Sequence, residues 1–515
     1  MKDTYDVVVI GSGPAGATYA RTIRTAAPNA RILMVESGPA VTDPLGRHVR
    51  TISEPRERVA AQFASQGPAA NPADYDEAVA RALSPSRGRS SGLAARPGTW
   101  LLNPTPTSNG ETGFQAAALS SNVGGMGIHW SGASPWPGIG ERSTDLSDRE
   151  FDSALDEARR LLLVTQHAFD HAPLGAEVRH LLGNHYDAGR RADRRVQPMP
   201  LAMEVQQTGE RYWTGPGAML GDLLVAADAD GFELRAETTA RRILTRNGDA
   251  DGVLLYDRRE DREYEVGARF VVVAADSLRS PQLLHASGIR PTALGHYLNE
   301  HTMTTSTIQL DPSLRAAAEG VRKTSEGAVD LLAGVSWIPF DERTFPFHGQ
   351  ITQWDASPIP VDASFEAWPG SVVECSLFMG KVDVRFEDRV EFDDDELDFF
   401  GMPAIRIHYT FTDNDQARLD QAVREAGRVG ELLGSAINGL EPVVMPHGAS
   451  LHYQGTTRFG TDDQTSTLDT RMRVWGTDNV YVGGNGTIPT PAACNPTLTN
   501  VALSVVGARN LAERI

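Results

Sequence analysis

Three glycines and one carboxylate near the N-terminus carry the first chemistry in this chain. Gly11-Ser-Gly13-Pro-Ala-Gly16 has the glycine spacing of a dinucleotide-binding turn. Gly11 permits the tight turn, Gly13 lets the backbone approach a pyrophosphate, and Gly16 lets helix and strand pack closely. The helix that follows offers free N–H groups and a partial positive charge to the phosphates. Glu36 stands 20 residues beyond Gly16, where a carboxylate can accept from a ribose 2′-OH. This motif by itself leaves NAD and FAD both open.

The elements that must hold this site are legible around it. Tyr5–Ile10 is a continuous apolar run, as a buried parallel strand requires. Pro14–Ala27 has helical spacing, and Arg31–Glu36 reads as a second buried strand. Residues 231–275 read as a β-meander, starting at Glu233–Glu237, that feeds the buried strand Phe270–Ala275. A helix is expected near Asp413–Leu433. Residues 479–515 read as strand, glycine-rich turn and helix. Residues 45–105 are rich in Pro, Gly, Ser, Ala and Arg with little periodicity. They read either as a surface insertion or as a lid over an active-site mouth.

Composition narrows the partners. The chain has 515 residues, a formal charge of −19 and a pI near 5.1. An acidic surface repels nucleic-acid backbones and anionic lipids. Apolar runs fall short of a membrane span, and no secretory leader is read. Two cysteines, Cys375 and Cys494, exclude a disulfide framework and point to a cytoplasmic protein.

Four segments in order give the chain a family resemblance. They are Gly11 to Glu36, Ser120-Ser-Asn-Val-Gly-Gly-Met-Gly-Ile-His-Trp130, Val271–Leu284 with Leu298-Asn-Glu-His301, and His452-Tyr-Gln-Gly-Thr456 with Gly483–Thr490 and Asn495-Pro-Thr-Leu-Thr499. The sequence resembles the glucose-methanol-choline (GMC) oxidoreductases, and looks like a bacterial member of their pyranose oxidase and glycoside 3-oxidase branch. The resemblance implies an α/β protein. A discontinuous Rossmann-like FAD domain would take 1–45, 105–140, 215–305 and 451–515. A substrate domain with an antiparallel sheet and helices would take 141–214 and 306–450, with 46–104 inserted.

The same resemblance implies a reaction. A base takes the proton of a sugar or glycoside hydroxyl, at C2 or C3 of a pyranose, and hydride passes to flavin N5. O2 or a quinone then takes the electrons. His452 is the implied base, with His447 as fallback, and Asn495 the second group on the same oxygen. Asn495 before Pro496 also reads as an N-cap with proline at the first helical position, and Leu498, Val501, Val505 and Ala508 as that helix's buried face. Gly124, Gly125, Met126, Asn485, Pro496 and Thr497 are expected along the flavin, and His301 beside it or in a structural role.

Two positions admit two readings each. His129 matches a histidine linked covalently to the flavin in fungal relatives, but Ile128 replaces a small hydroxyl residue, so a bond or simple packing is expected. Gln353, Trp354 and Asp355 read as a sugar-binding loop or a plain surface loop. A sterol or simple alcohol is the alternative substrate. A nicotinamide dehydrogenase would lack the paired His and Asn motifs, and a non-catalytic flavoprotein would not need them.

Overall fold

The computed structural model describes residues 3–66, 98–102, 111–170, 172–225, 231–318, 332–354, 368 and 370–515. Its first sheet has the strand order Thr238–Arg246, Asp249–Asp257, Arg262–Val273, Thr4–Ile10, Ile32–Val35, Phe232–Arg235, and Val480–Val482 also pairs with Arg262–Val273. Val7, Val8 and Val9 are fully buried, each contributing about 1.5–3 kcal/mol of burial. They need cover on both faces, and helices Pro14–Ala26 and Thr497–Ala512 help to supply it. The last helix is buried all round from Leu498 to Ala508, not on one stripe as its spacing suggests.

The meander differs from expectation at its start. Phe232–Arg235 pairs parallel with Ile32–Val35 at the sheet edge and does not join the hairpins. Arg262–Val273 is one long strand. Its first half closes the antiparallel meander from Arg262 to Gly267, and from Gly267 onward it runs parallel to Thr4–Ile10.

A second sheet has the order Gly434–Ala436, Thr302–Leu310, Val372–Met379, His348–Trp354, Leu332–Ile338, Gln197–Pro198, with antiparallel pairs throughout. Alternation gives it two unlike faces. Ile308, Ile351, Val373, Cys375 and Leu377 pack on helix Asp413–Leu433 through Leu419, Ala422, Ala426 and Val429. His348, Gln350, Thr352 and Trp354 occupy the opposite face, paired with Phe378, Ser376, Glu374 and Val372.

Two segments inside the span assigned to the second domain join the first core. Helix Asp148–Leu161 sends Phe151, Ala154, Leu155 and Ala158 into it, and the hairpin Arg389–Leu397/Pro403–His408 adds Val390, Met402 and Ile407. The described parts of 46–104 include helix Pro55–Gln66 and strand Gly98–Leu101, which pairs with Ala118–Ser121. Proline at the start of that helix suits its first turn. The remainder of the proposed lid, 67–97 and 103–104, lies outside the described residues. Among the described residues no helix is long and apolar enough to cross a membrane.

Candidate active site

The cavity begins where Thr4–Ile10 ends. Gly11 has φ +104, and a Cβ there would meet the Ala274 carbonyl at 2.2 Å. A Cβ on Gly16 would meet the Gly11 carbonyl at 2.0 Å. At Gly13 the nearest atom to such a Cβ is the Gly124 carbonyl at 3.9 Å, so the space beside Gly13 opens into the cavity that it lines. These three positions thus differ in role: two glycines close the fold, and one keeps room for a ligand.

Glu36 lines the same cavity and accepts from Ser12 N (3.2 Å), Ser12 Oγ (2.8 Å) and Gly38 N (3.0 Å). Burial pushes its carboxyl up, against those hydrogen bonds. Ser12 Oγ also accepts from Gly124 N at 2.9 Å. The hydroxyl therefore ties the first turn, the carboxylate and the 120–131 loop together. Sequence reading passed over Ser12, because the motif leaves its second position unspecified.

Gly124 and Gly125 have φ +93 and +53 and turn the chain into a short 3₁₀ segment, Gly125–Ile128. Gly125, Met126 and His129 line the cavity. Gly124, Gly16 and Pro496 shape the backbone behind it and are absent from the wall. Ile128 is fully buried against Gly124. Burial lowers His129 to about 4, so its ring is neutral.

Asn485 and Thr497 line the wall from the C-terminal side. Among the described residues buried Asn485 Oδ1 has no partner, an acceptor left for a ligand. Open space at Gly13, the Glu36 carboxylate and this orphaned acceptor fit a dinucleotide cofactor.

His452 and Asn495 also line this cavity. Asn495 Nδ2 lies 3.5 Å from His452 Nε2, and His452 Nδ1 lies 3.1 Å from His301 Nδ1. Phe378 packs on the imidazole with ring centroids 5.2 Å apart. The histidine segment is pinned on several sides. Asn299 and Gln454 exchange backbone hydrogen bonds of 3.0 and 2.8 Å, Ser277 Oγ donates to the Tyr453 carbonyl, and Tyr453 Oη donates to the Gly448 carbonyl. Burial first, then His301 and His348, hold His452 well below the usual histidine range. It is neutral at physiological pH and able to accept a proton.

Asn495 departs from its expected capping role. Helix Thr497–Ala512 follows Pro496, which takes the N-cap position and offers it no side-chain hydrogen bond. The carboxamide turns to His452 instead. Glu141 steadies this approach: its Oε1 accepts from Ala493 N at 2.8 Å, and its carbonyl accepts from Thr490 Oγ1. His447, the fallback base, is absent from the cavity wall. Its Nδ1 bonds buried Glu300 at 2.9 Å, which makes it an anchor for the segment before His452.

The expected substrate loop is corrected. Gln353 and Trp354 end a strand, and neither lines the cavity. Gln353 is buried on the far face with its carboxamide against Gly175, Gly334 and Gly370. Asp355 lies outside the described residues. The start of that strand does reach the site. His348, fully buried, accepts at Nδ1 from Trp337 Nε1 at 2.9 Å and faces Asn495. Neither His348 nor Phe378 carried a sequence signal, since strand pairing alone brings them together.

GMC oxidoreductase family models match residues 204–303 and 388–504. A C-glycoside 3-oxidase of Microbacterium trichothecenolyticum is 46% identical over 99% of this chain and 97% of its own length. The chain belongs to the GMC oxidoreductase family. Pyranose 2-oxidase of Tricholoma matsutake is 31% identical over 98% of this chain and 93% of its own. Formate oxidase of Aspergillus oryzae shares the fold, with a TM-score of 0.66 at 13% identity and coverage of 100% and 99%. Members of the family are FAD-dependent oxidoreductases acting on CH–OH donors. In this GMC oxidoreductase, Gly13, Glu36, Met126, His129 and Asn485 are the residues that would hold FAD.

Proposed function

We propose that this GMC oxidoreductase oxidises a secondary ring hydroxyl of a glycoside, at C3, with C2 of a free pyranose as the second outcome. The observation that carries the reading is the His452–Asn495 pair, 3.5 Å apart at the wall of the cavity that Glu36 also lines. The likeness to a C-glycoside 3-oxidase favours C3.

His301 Nδ1 and His452 Nδ1 lie 3.1 Å apart, so one of the two donates its proton to the other. With that proton on His452, Nε2 keeps its lone pair and takes the substrate hydroxyl proton. Asn495 Nδ2 donates to the same oxygen and stabilises its growing negative charge. Bound FAD supplies the hydride acceptor, so the alcohol loses one proton and one hydride and leaves as a ketone. Phe378 and the buried wall around His452 keep water from competing for the base.

O2 or a quinone reoxidises the flavin. FAD is held without a covalent bond, since buried Ile128 stands where the linked relatives have a hydroxyl residue. Two buried, unpaired cysteines fit a cytoplasmic location.

The test is a substrate panel of glucose, a C-glycoside, an O-glycoside and a sterol, read by peroxide release, by quinone reduction and by NMR of the product. A 3-keto glycoside is expected. Turnover of the sterol with none of the sugars overturns the reading.

A further inference from the structure

Trp337 and His348 lie outside the reaction as derived so far, yet both are fully buried and joined by one hydrogen bond of 2.9 Å. An indole N–H can only donate. His348 Nδ1 must therefore accept, which places the ring's single proton on Nε2. Burial holds the ring neutral, with a value lowered to about 3. His348 Nε2 and Asn495 Oδ1 are both buried, a donor and an acceptor that among the described residues close no hydrogen bond of good geometry, with each other or with any group. The two side chains nevertheless interact, in the sense that favours donation from the imidazole.

A primary amide has one acceptor end and one donor end, and the two are nearly alike in shape. If His348 donates to Oδ1, the NH₂ end must face His452 Nε2, 3.5 Å away. We propose that Trp337 and His348 are positioning residues that fix the amide of Asn495 with its donor end toward His452 and the substrate oxygen. The direction is set at the indole, which has no acceptor to offer, and passes through the histidine tautomer to the amide. Without that constraint the amide can turn over and present its carbonyl to an oxygen that is gaining negative charge. The inference rests on the reading of His452 and Asn495 given above.

This relay acts in the transition state more than in the ground state, so its loss should lower kcat more than it raises KM. The readout is the rate of flavin reduction by a C-glycoside in anaerobic holoenzyme, with flavin content and melting temperature checked for each variant. His348→Phe and Trp337→Phe are each expected to slow reduction about tenfold, the scale of one lost hydrogen bond. His348→Gln, which can accept from the indole and donate to the amide, should restore most of the rate.

In an Asn495→Ala background, His348→Phe should add less than about twofold, because residues in one network do not contribute additively. Equal losses in both backgrounds would mean that His348 only packs, and the relay fails while the His452 chemistry stands. An unchanged rate in Asn495→Ala alone removes that chemistry and the relay together. Imidazole ¹⁵N NMR of the unaltered holoenzyme gives a check that needs no variant. The His348 proton should sit on Nε2, and finding it on Nδ1 overturns the proposal.

Discussion

Asn495 Nδ2 and His452 Nε2 meet 3.5 Å apart, although 43 residues separate them in the chain. One arrives on the turn before the last helix, the other on a segment pinned by Asn299, Ser277 and Tyr453. In the proposed reaction both bind the same substrate oxygen. His452→Ala is expected to slow flavin reduction by roughly 10²–10⁴ through loss of the base. Asn495→Ala should cost about 10²-fold through loss of one donor to the developing charge. Both variants should retain flavin. Stopped-flow reduction under anaerobic conditions measures the effects, and a full rate in His452→Ala would falsify the assignment.

The pH dependence follows from the burial of the same imidazole. A base must be neutral to act. His452 is lowered by burial and by facing His301 and His348, so its protonation moves to more acid pH. Flavin reduction should therefore be level through neutral pH and decline only below the ordinary histidine value of about 6.5. Measured reduction rates that fall by half at or above that value contradict the geometry.

How far the sequence could be read depends on where the information lies. The dinucleotide turn was legible because spacing, strand and helix are local. His452 and Asn495 were legible because each sits in a motif of its own. His348 and Trp337 were not, because a histidine at the start of a strand looks like any other core position until Val372–Met379 and Leu332–Ile338 flank it. Gln353 was misread for the same reason: period-2 alternation sends it to the far face while His348 faces the site. The Asn495 cap was misjudged because a cap and an active-site amide share one local pattern, and only the packed cavity shows which partner the side chain takes.

The three glycines of the first turn should separate folding from cofactor binding. Gly11→Ala places a side chain at φ +104 and 2.2 Å from the Ala274 carbonyl. Backbone strain alone costs about 1–3 kcal/mol, and both melting temperature and flavin content should drop. Gly13→Ala meets nothing closer than 3.9 Å and has an extended backbone, with φ −66. Its apoprotein should melt within about 0.5 kcal/mol of the unaltered apoprotein while its flavin content falls sharply. Absorbance ratios and apoprotein melting curves give both quantities, and a Gly13→Ala holoenzyme with full flavin would show that the cofactor lies elsewhere.

Ser12→Ala should behave as neither of these. Its hydroxyl donates to Glu36 Oε2 and accepts from Gly124 N, and the residue is 1% exposed. Removing it orphans the Gly124 N–H in a buried place, at about 1–3 kcal/mol. It also loosens the tie between the carboxylate and the 120–131 loop, which carries Met126 and His129 to the cavity. Stability and flavin affinity should therefore fall together, by a modest amount each, and the loop's contribution should show as faster flavin release. Ser12→Thr keeps the hydroxyl and separates this from a packing effect: if the methyl is tolerated, flavin release stays slow. Flavin release is followed by the rise of free flavin fluorescence on dilution. A Ser12→Ala enzyme that holds flavin as tightly as the unaltered protein would mean that the 120–131 loop keeps its place without the hydroxyl.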